Sequence, residues 1–267
     1  MRIRAFTLLR IALPVAAQSP YVSAPRVSVD PRVELMSIIF RLAGNSEYNQ
    51  GGVPAYNAAI DGWFGPFKDH ETVRLARSLR EHDGVSYDAV MSMAIQVKDV
   101  ETLAERIPFD SKESRLEHRW HGVKARAFLA SARRFVAETQ FQKFLDSQSD
   151  LYESTAGNLR ALVEKEADFS WFEKFFGTRA GGRFFVVAGM ANGGGNYGPS
   201  LRAEDGVEES YQILGVWQSE NSERPVFDKG LVPTLVHEGT HPYANPAIEK
   251  VLSKIDRHGD RLFEATR

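Results

Sequence analysis

The periodicity of apolar residues changes once along the chain, and this change limits the fold more than any other feature of the sequence. Between residues 30 and 177 apolar residues recur at helical spacing. After Gly181-Gly182 the chain has two apolar runs, 183–189 and 211–217, whose Phe and Val content is typical of strands. A helical part followed by a small sheet and further helices predicts an α+β fold.

The composition is that of an ordinary globular protein, and it narrows the chemistry. The chain has 267 residues, with 33 Lys and Arg against 35 Asp and Glu, and the resulting formal net charge of −2 argues against nucleic acid as a partner. It has no cysteine, which excludes disulfides, thiolate-bound metals and a thiol nucleophile. Any metal ion must therefore be bound by His and carboxylate side chains.

Residues 1–17 have the layout of a secretory signal peptide. Two arginines precede a mostly apolar stretch, 5–17, and Val15-Ala16-Ala17 places small residues before a cleavage site. Arg10 interrupts the apolar stretch, so a disordered basic leader or an early start codon is the alternative. No other stretch approaches the ~20 apolar residues of a membrane span. We therefore expect a secreted or periplasmic protein without a membrane span.

The motif His-Glu-x-x-His occurs once, as His237, Glu238 and His241. It lies in an apolar run behind Pro233, a residue that favours the first turn of a helix. On a helix, histidines four residues apart share one face and can bind one zinc ion, while the adjacent glutamate can accept a proton from a metal-bound water. The alternative is a helix that carries two histidines by chance.

Pro242 directly follows the second histidine of this motif. Proline removes a backbone donor and disfavours helical conformation in the residue before it. The sequence therefore predicts that the helix kinks or ends near His241.

A glycine-rich segment, Asn192 to Pro199, follows the first strand-like run. Its glycines formally satisfy G-x-G-x-x-G, but the proline and the short distance to the next strand leave no room for the crossover helix of a dinucleotide site. We interpret the segment as a loop whose backbone lets another part of the chain approach closely. A purely structural turn is the alternative.

Three segments together resemble a known family: VDPRVELMSIIFRLAGNSEYN, ANGGGNYGPS and LVHEGTHPYANP. The last contains the zincin motif, and the set resembles an uncharacterised bacterial family of exported, zincin-like proteins, domain of unknown function 4932. The resemblance implies a zinc peptidase fold of the gluzincin type, in which the edge strand of a small mixed sheet lies over the metal helix. It also implies that His237 and His241 bind zinc and that Glu238 is the general base.

Gluzincins take a third zinc ligand from a glutamate on a later helix. In this chain Glu264 is the best candidate for that ligand, ahead of Glu249 and Asp260. The chain would then consist of a signal peptide, a mainly helical part over 26–177 and a zincin-like catalytic part over 178–267. This last part could also be truncated at its C-terminus.

The sequence thus predicts a secreted zinc-dependent hydrolase, most simply a metallopeptidase that binds one zinc ion and acts on a peptide or protein. Glu238 would deprotonate the attacking water. Tyr197 is the first candidate to stabilise the developing oxyanion, with Tyr243 and His258 as the others. The alternative is a non-catalytic or truncated zincin-like scaffold that acts as a binding protein.

Overall fold

The computed structural model describes residues 24–177, 182–252 and 258–259. The predicted signal peptide over 1–17 and the proposed ligand Glu264 lie outside the described residues, as does Asp260. The helices of the described part are α1 (Pro31–Leu42), α2 (Pro54–Phe64), α3 (Glu71–Asp83), α4 (Asp88–Gln96), α5 (Gly122–Glu138), α6 (Phe141–Ser147), α7 (Ser149–Glu166), α8 (Ser170–Phe176) and α9 (Val232–Glu249). Its strands are β1 (Arg26–Ser28), β2 (Arg183–Gly189), β3 (Ser200–Arg202), β4 (Glu208–Gly215), β5 (Ser219–Glu220) and β6 (Arg224–Pro225).

Four of these strands form a mixed sheet in the order β1-β2-β4-β3 within the described residues. β1 and β4 both pair with β2 in parallel, and β3 pairs with β4 antiparallel at the sheet edge. The short strands β5 and β6 form a separate antiparallel pair. The predicted α+β fold with a small mixed sheet is confirmed. The division of the chain near residue 177 stays a prediction, and β1 pairs with β2 across it.

The first helix shows how local sequence begins an element. Asp30 caps α1 by accepting a hydrogen bond from the backbone N–H of Arg32 at 2.9 Å, and Pro31 occupies the first helical position. The body of the helix, 33–40, is buried throughout and includes one carboxylate, Glu34. α1 therefore runs through the core as its central helix.

The sheet separates two hydrophobic cores. Alternate residues of β2 point to opposite faces, so that Phe184 and Val186 join one core and Val187 joins the other. The larger core contains α1 and the helices around it, whereas α7, α8 and α9 pack on the opposite face of the sheet. The helix that carries His-Glu-x-x-His is thus held against the sheet.

The predicted end of this helix near His241 is wrong, whereas the alternative of a kink there stays a prediction. α9 continues to Glu249 with Pro242 and Pro246 inside it. Tertiary packing explains the continuation, because Tyr243 stacks on Phe176 with the ring centroids 4.8 Å apart and holds the turn after Pro242 in place. Across the described ranges, no helix is both long and apolar enough to cross a bilayer.

Candidate metal centre

His237, Glu238 and His241 come together on one turn of α9. The two imidazole rings have centroids 4.9 Å apart and planes at 87° to each other. One carboxylate oxygen of Glu238 lies 3.7 Å from Nε2 of His241. One potential ligand atom from each of the three residues lies within 4.8 Å of the other two. The helix therefore presents two nitrogens and one oxygen to a common point.

The three side chains differ in exposure. His237 is exposed, His241 is half-buried and Glu238 is buried. Burial raises the pKa of Glu238, and the neighbouring His241 and His237 offset that rise in part. A carboxyl group with a raised pKa is a stronger base than an ordinary one, which suits a group that must accept a proton near neutral pH.

A partner on the same helix fixes the second histidine. Nδ1 of His241 lies 3.3 Å from Oδ1 of Asn245. An amide oxygen can only accept, so this contact favours a proton on Nδ1 and leaves the lone pair of Nε2 free for a metal ion. Sequence reasoning did not single out Asn245, although its spacing of four residues from His241 was a usable signal.

The nitrogen and oxygen atoms of these side chains are of the types that bind zinc, but they are too few for a catalytic zinc site in which Glu238 is the base. Imidazole nitrogen and carboxylate oxygen are both zinc ligands, and a catalytic zinc ion has three protein ligands and a water. In the part of the chain that the structure describes, His237, Glu238 and His241 are the only group of three residues close enough to hold one ion. If Glu238 is the base, a third ligand must come from elsewhere. The placement of Glu264 there stays a prediction.

A cavity of about 840 Å³ opens beside these residues. α9 forms one wall, the segment 196–200 forms another, and the start of α4 with the loop before α5 forms the third. Its charged lining, besides the metal-site candidates, consists of Asp88, Arg115, Glu117 and Glu249. Arg115 is paired with Glu208, and Asp88 and Glu117 share one partner, Arg119. With Glu249, these groups comprise four carboxylates against two arginines, so the net charge around the cavity is negative. The cavity therefore favours cationic groups.

The glycine-rich loop between β2 and β3 packs directly on the candidate metal centre. A side chain at position 198 would overlap the Glu238 carbonyl and press on the ring of His241. At its other end Gly193 adopts a φ of +62° with its Cα against the backbone of Glu47. The loop leads into the antiparallel strand β3 and not into a helix, which excludes a dinucleotide fold and supports the interpretation as a close-approach loop.

Tyr197 lies in the same cavity wall. It is 7% exposed, and its backbone N–H and carbonyl both pair with Ile213 at 2.9 Å. The hydroxyl group packs against Gly195 and has no hydrogen-bond partner among the described residues. Burial raises the pKa of this hydroxyl, so it stays a donor. Its proposed contact with an oxyanion remains a prediction.

The other two oxyanion candidates are not among the described residues that line the cavity. Tyr243 stacks between Phe172 and Phe176 and is not part of the cavity lining. His258 is exposed. Conversely, Arg115 and Glu117 line the cavity but were not predicted, because they come from the loop between α4 and α5 and no local pattern marks them.

Comparison with known proteins gives a family and nothing beyond it. No curated protein and no solved structure matches the chain. One family model, described as "Domain of unknown function (DUF4932)", matches residues 26–264. Because this match spans most of the sequence, the protein belongs to the DUF4932 family.

Proposed function

We propose that this protein is a zinc-dependent metallopeptidase that acts outside the cytoplasm. The observation that carries the proposal is the placement of His237, Glu238 and His241 on one turn of α9, at the wall of a cavity of about 840 Å³. The zincin resemblance of the sequence supports the same chemistry. The leader-like residues 1–17 support export.

In this proposal His237 and His241 hold the metal. A zinc ion lowers the pKa of a water that it binds to about 7 and polarises a carbonyl group. The carboxylate of Glu238 accepts the proton of the attacking water and passes it to the leaving amine. Tyr197 would donate a hydrogen bond to the oxyanion once its buried hydroxyl turns from Gly195 towards the cavity.

An extended peptide suits the cavity because a sheet edge forms part of it. β3 is the outer strand of the sheet, and Pro199 and Ser200 line the cavity at its start. The backbone of Tyr197 pairs with Ile213, and the Pro199 carbonyl accepts from the Tyr211 N–H. The N–H and carbonyl of Gly198, which lies between them, therefore point away from β4. A substrate main chain could pair there as an added strand.

The second candidate is a protein that binds a partner through this cavity without turnover. The donor set on α9 allows it, because two histidines and a glutamate can bind a metal ion without turning over a substrate. Zinc content alone does not separate the two functions, because a non-catalytic scaffold could still bind metal.

Hydrolysis separates them. The full-length protein, loaded with zinc, is incubated with a mixture of peptides of varied sequence, and the products are identified by mass spectrometry. We expect cleavage that a chelator abolishes and added zinc restores, with a preference for basic side chains near the cut because the net charge around the cavity is negative. Zinc binding without cleavage of any peptide would favour the binding protein.

A further inference from the structure

Glu34 is a fully buried carboxylate outside the candidate metal centre. It lies in the middle of α1 and accepts hydrogen bonds from the backbone N–H of Met190 at 2.8 Å and of Ala191 at 3.1 Å. The hydroxyl of Tyr56 donates to it at 2.7 Å and lies 2.6 Å from the hydroxyl of Tyr152. A buried carboxylate carries a large desolvation penalty, so these partners must offset it.

Two of these partners stand where the chain leaves the sheet. Met190 and Ala191 follow the last residue of β2 and begin the glycine-rich loop. The side chain of Asn192 donates to the Gly195 carbonyl at 2.7 Å, and the Gly193 carbonyl accepts from Val216 at 3.0 Å. The start of the loop is therefore held in one position from α1 and from the residue that follows β4.

The far end of the same loop lies on the candidate metal centre. The side-chain oxygen of Asn196 accepts from the N–H of Gly215 at 3.0 Å. Two residues later, Gly198 has its Cα against the Glu238 carbonyl and the His241 ring. The loop is short and is hydrogen-bonded at Asn192, Gly193 and Asn196. A shift of the backbone at Ala191 should therefore reach position 198.

We propose that Glu34 is a positioning residue: it holds the glycine-rich loop 192–199 in register over the turn of α9 that carries His237, Glu238 and His241. It does so through Met190 and Ala191 and touches neither metal nor substrate. The inference rests on the proposed function, since it assigns the loop to the substrate side of that site. Glu34, the glycine-rich loop and the turn of α9 lie in the three sequence segments that carry the family resemblance, so the proposal connects these segments in space.

The test compares Glu34→Gln with Tyr56→Phe. A glutamine keeps one acceptor oxygen and replaces the other with an amide NH2, which can only donate. If the oxygen stays beside Met190, the Ala191 N–H keeps only its longer contact of 3.4 Å, and in the other orientation the Met190 N–H loses its partner. Tyr56→Phe removes the third hydrogen bond to the same carboxylate but leaves both loop contacts intact. Both variants lose a buried hydrogen bond, and only the first loosens the loop.

Two readouts are taken on each folded, zinc-loaded variant. We expect amide hydrogen exchange over 190–199 to be faster in Glu34→Gln than in wild type, with kcat/KM lower by about 10- to 100-fold and zinc content unchanged. We expect Tyr56→Phe to match wild type in both readouts, even if its melting temperature falls.

Several outcomes would overturn the inference. One is that Glu34→Gln and Tyr56→Phe, compared at matched stability, show equal amide exchange and equal kcat/KM. Glu34 would then have a purely structural role. Another is faster exchange in Glu34→Gln with unchanged kcat/KM, since the loop would then not matter to turnover. If wild type cleaves no peptide, the proposed function fails. The exchange measurement still decides whether Glu34 holds the loop.

Discussion

Glu34 on α1 and Glu238 on α9 are both buried, and neither pairs with Lys or Arg in the described part of the chain. Burial raises the pKa of each, to about 7 for Glu34. Their partners differ. Glu34 accepts from two backbone N–H groups and a tyrosine, whereas Glu238 lies beside two histidines at a cavity.

This difference separates a carboxylate that holds structure from one that is available for chemistry. The acceptor sites of Glu34 are occupied by groups that cannot leave, and the residue is fully buried. Within the described part of the chain the carboxylate of Glu238 has no such donors, and it lines the cavity. A raised pKa alone therefore does not identify a catalytic carboxylate. The groups that surround the carboxylate distinguish a catalytic role from a structural one.

The largest expected effect is on activity, at Glu238. Glu238→Gln keeps the shape of the side chain but cannot accept a proton, and we expect kcat to fall by about 10²- to 10⁴-fold. The zinc content and the free energy of unfolding should stay near wild type, because no fixed donor loses its partner. Steady-state kinetics, elemental analysis and urea unfolding check the three quantities. A variant with near-full activity would show that the motif does not work in the proposed way.

Metal content should depend on the two histidines of α9. His237→Ala removes one of two imidazole ligands, and we expect bound zinc to fall from one ion per chain to little or none after dialysis. His82→Ala is the matched control, because His82 is an exposed histidine on α3 whose Nδ1 lies 2.9 Å from the Ser78 carbonyl oxygen, and it does not line the cavity. Elemental analysis of the two variants provides the comparison. Equal zinc content in the two variants would contradict the proposed metal centre.

Glu34 should make the free energy of unfolding depend on pH, and Glu238, whose pKa burial also raises, should add to the dependence in the same direction. The folded state raises the pKa of Glu34 from 4.5 to about 7, so between these values the folded protein holds a proton that the unfolded chain has released. The contribution of Glu34 to stability therefore falls as pH rises through this window, and it changes no further above it. At about 1.4 kcal/mol per pKa unit, this contribution changes by roughly 3 kcal/mol.

Glu34→Gln isolates this effect because glutamine does not titrate. We expect the free energy of unfolding of wild type, relative to this variant, to fall between pH 4.5 and pH 7. Urea unfolding at a series of pH values measures it. A difference that stays constant or rises with pH would show that the carboxylate is ionised throughout, held so by Met190, Ala191 and Tyr56.

Local patterns were enough to predict what depends on neighbouring residues. The cap and first turn of α1 at Asp30 and Pro31, the helix around His237 and the close-approach loop all follow from short-range rules. β1 was not predicted, because three residues carry no readable alternation and their strand conformation comes from pairing with β2.

Contacts between distant segments could not be predicted from the sequence. The bond from Glu34 to Met190 joins residues far apart in the chain, and the placement of Arg115 in the cavity depends on a loop. One signal was present for Glu34, since a single carboxylate inside the apolar run of α1 implies buried partners. The continuation of α9 past Pro242 was predicted wrongly, because stacking of Tyr243 outweighs the local preference.

The smallest expected effect concerns the orientation of His241. Unlike the partners of Glu34, Asn245 comes from the same helix and is exposed, and its 3.3 Å contact with Nδ1 is long. Removing such an outer partner weakens metal binding by about 10- to 100-fold, and we expect the lower end for Asn245→Ala. Asn245→Asp keeps an acceptor in place and should bind zinc at least as tightly as wild type. Competition titration against a chromophoric chelator measures both affinities. If Asn245→Ala binds zinc as tightly as wild type, then the ligand geometry of His241 is set by the packing of Gly198 against its ring and not by Asn245.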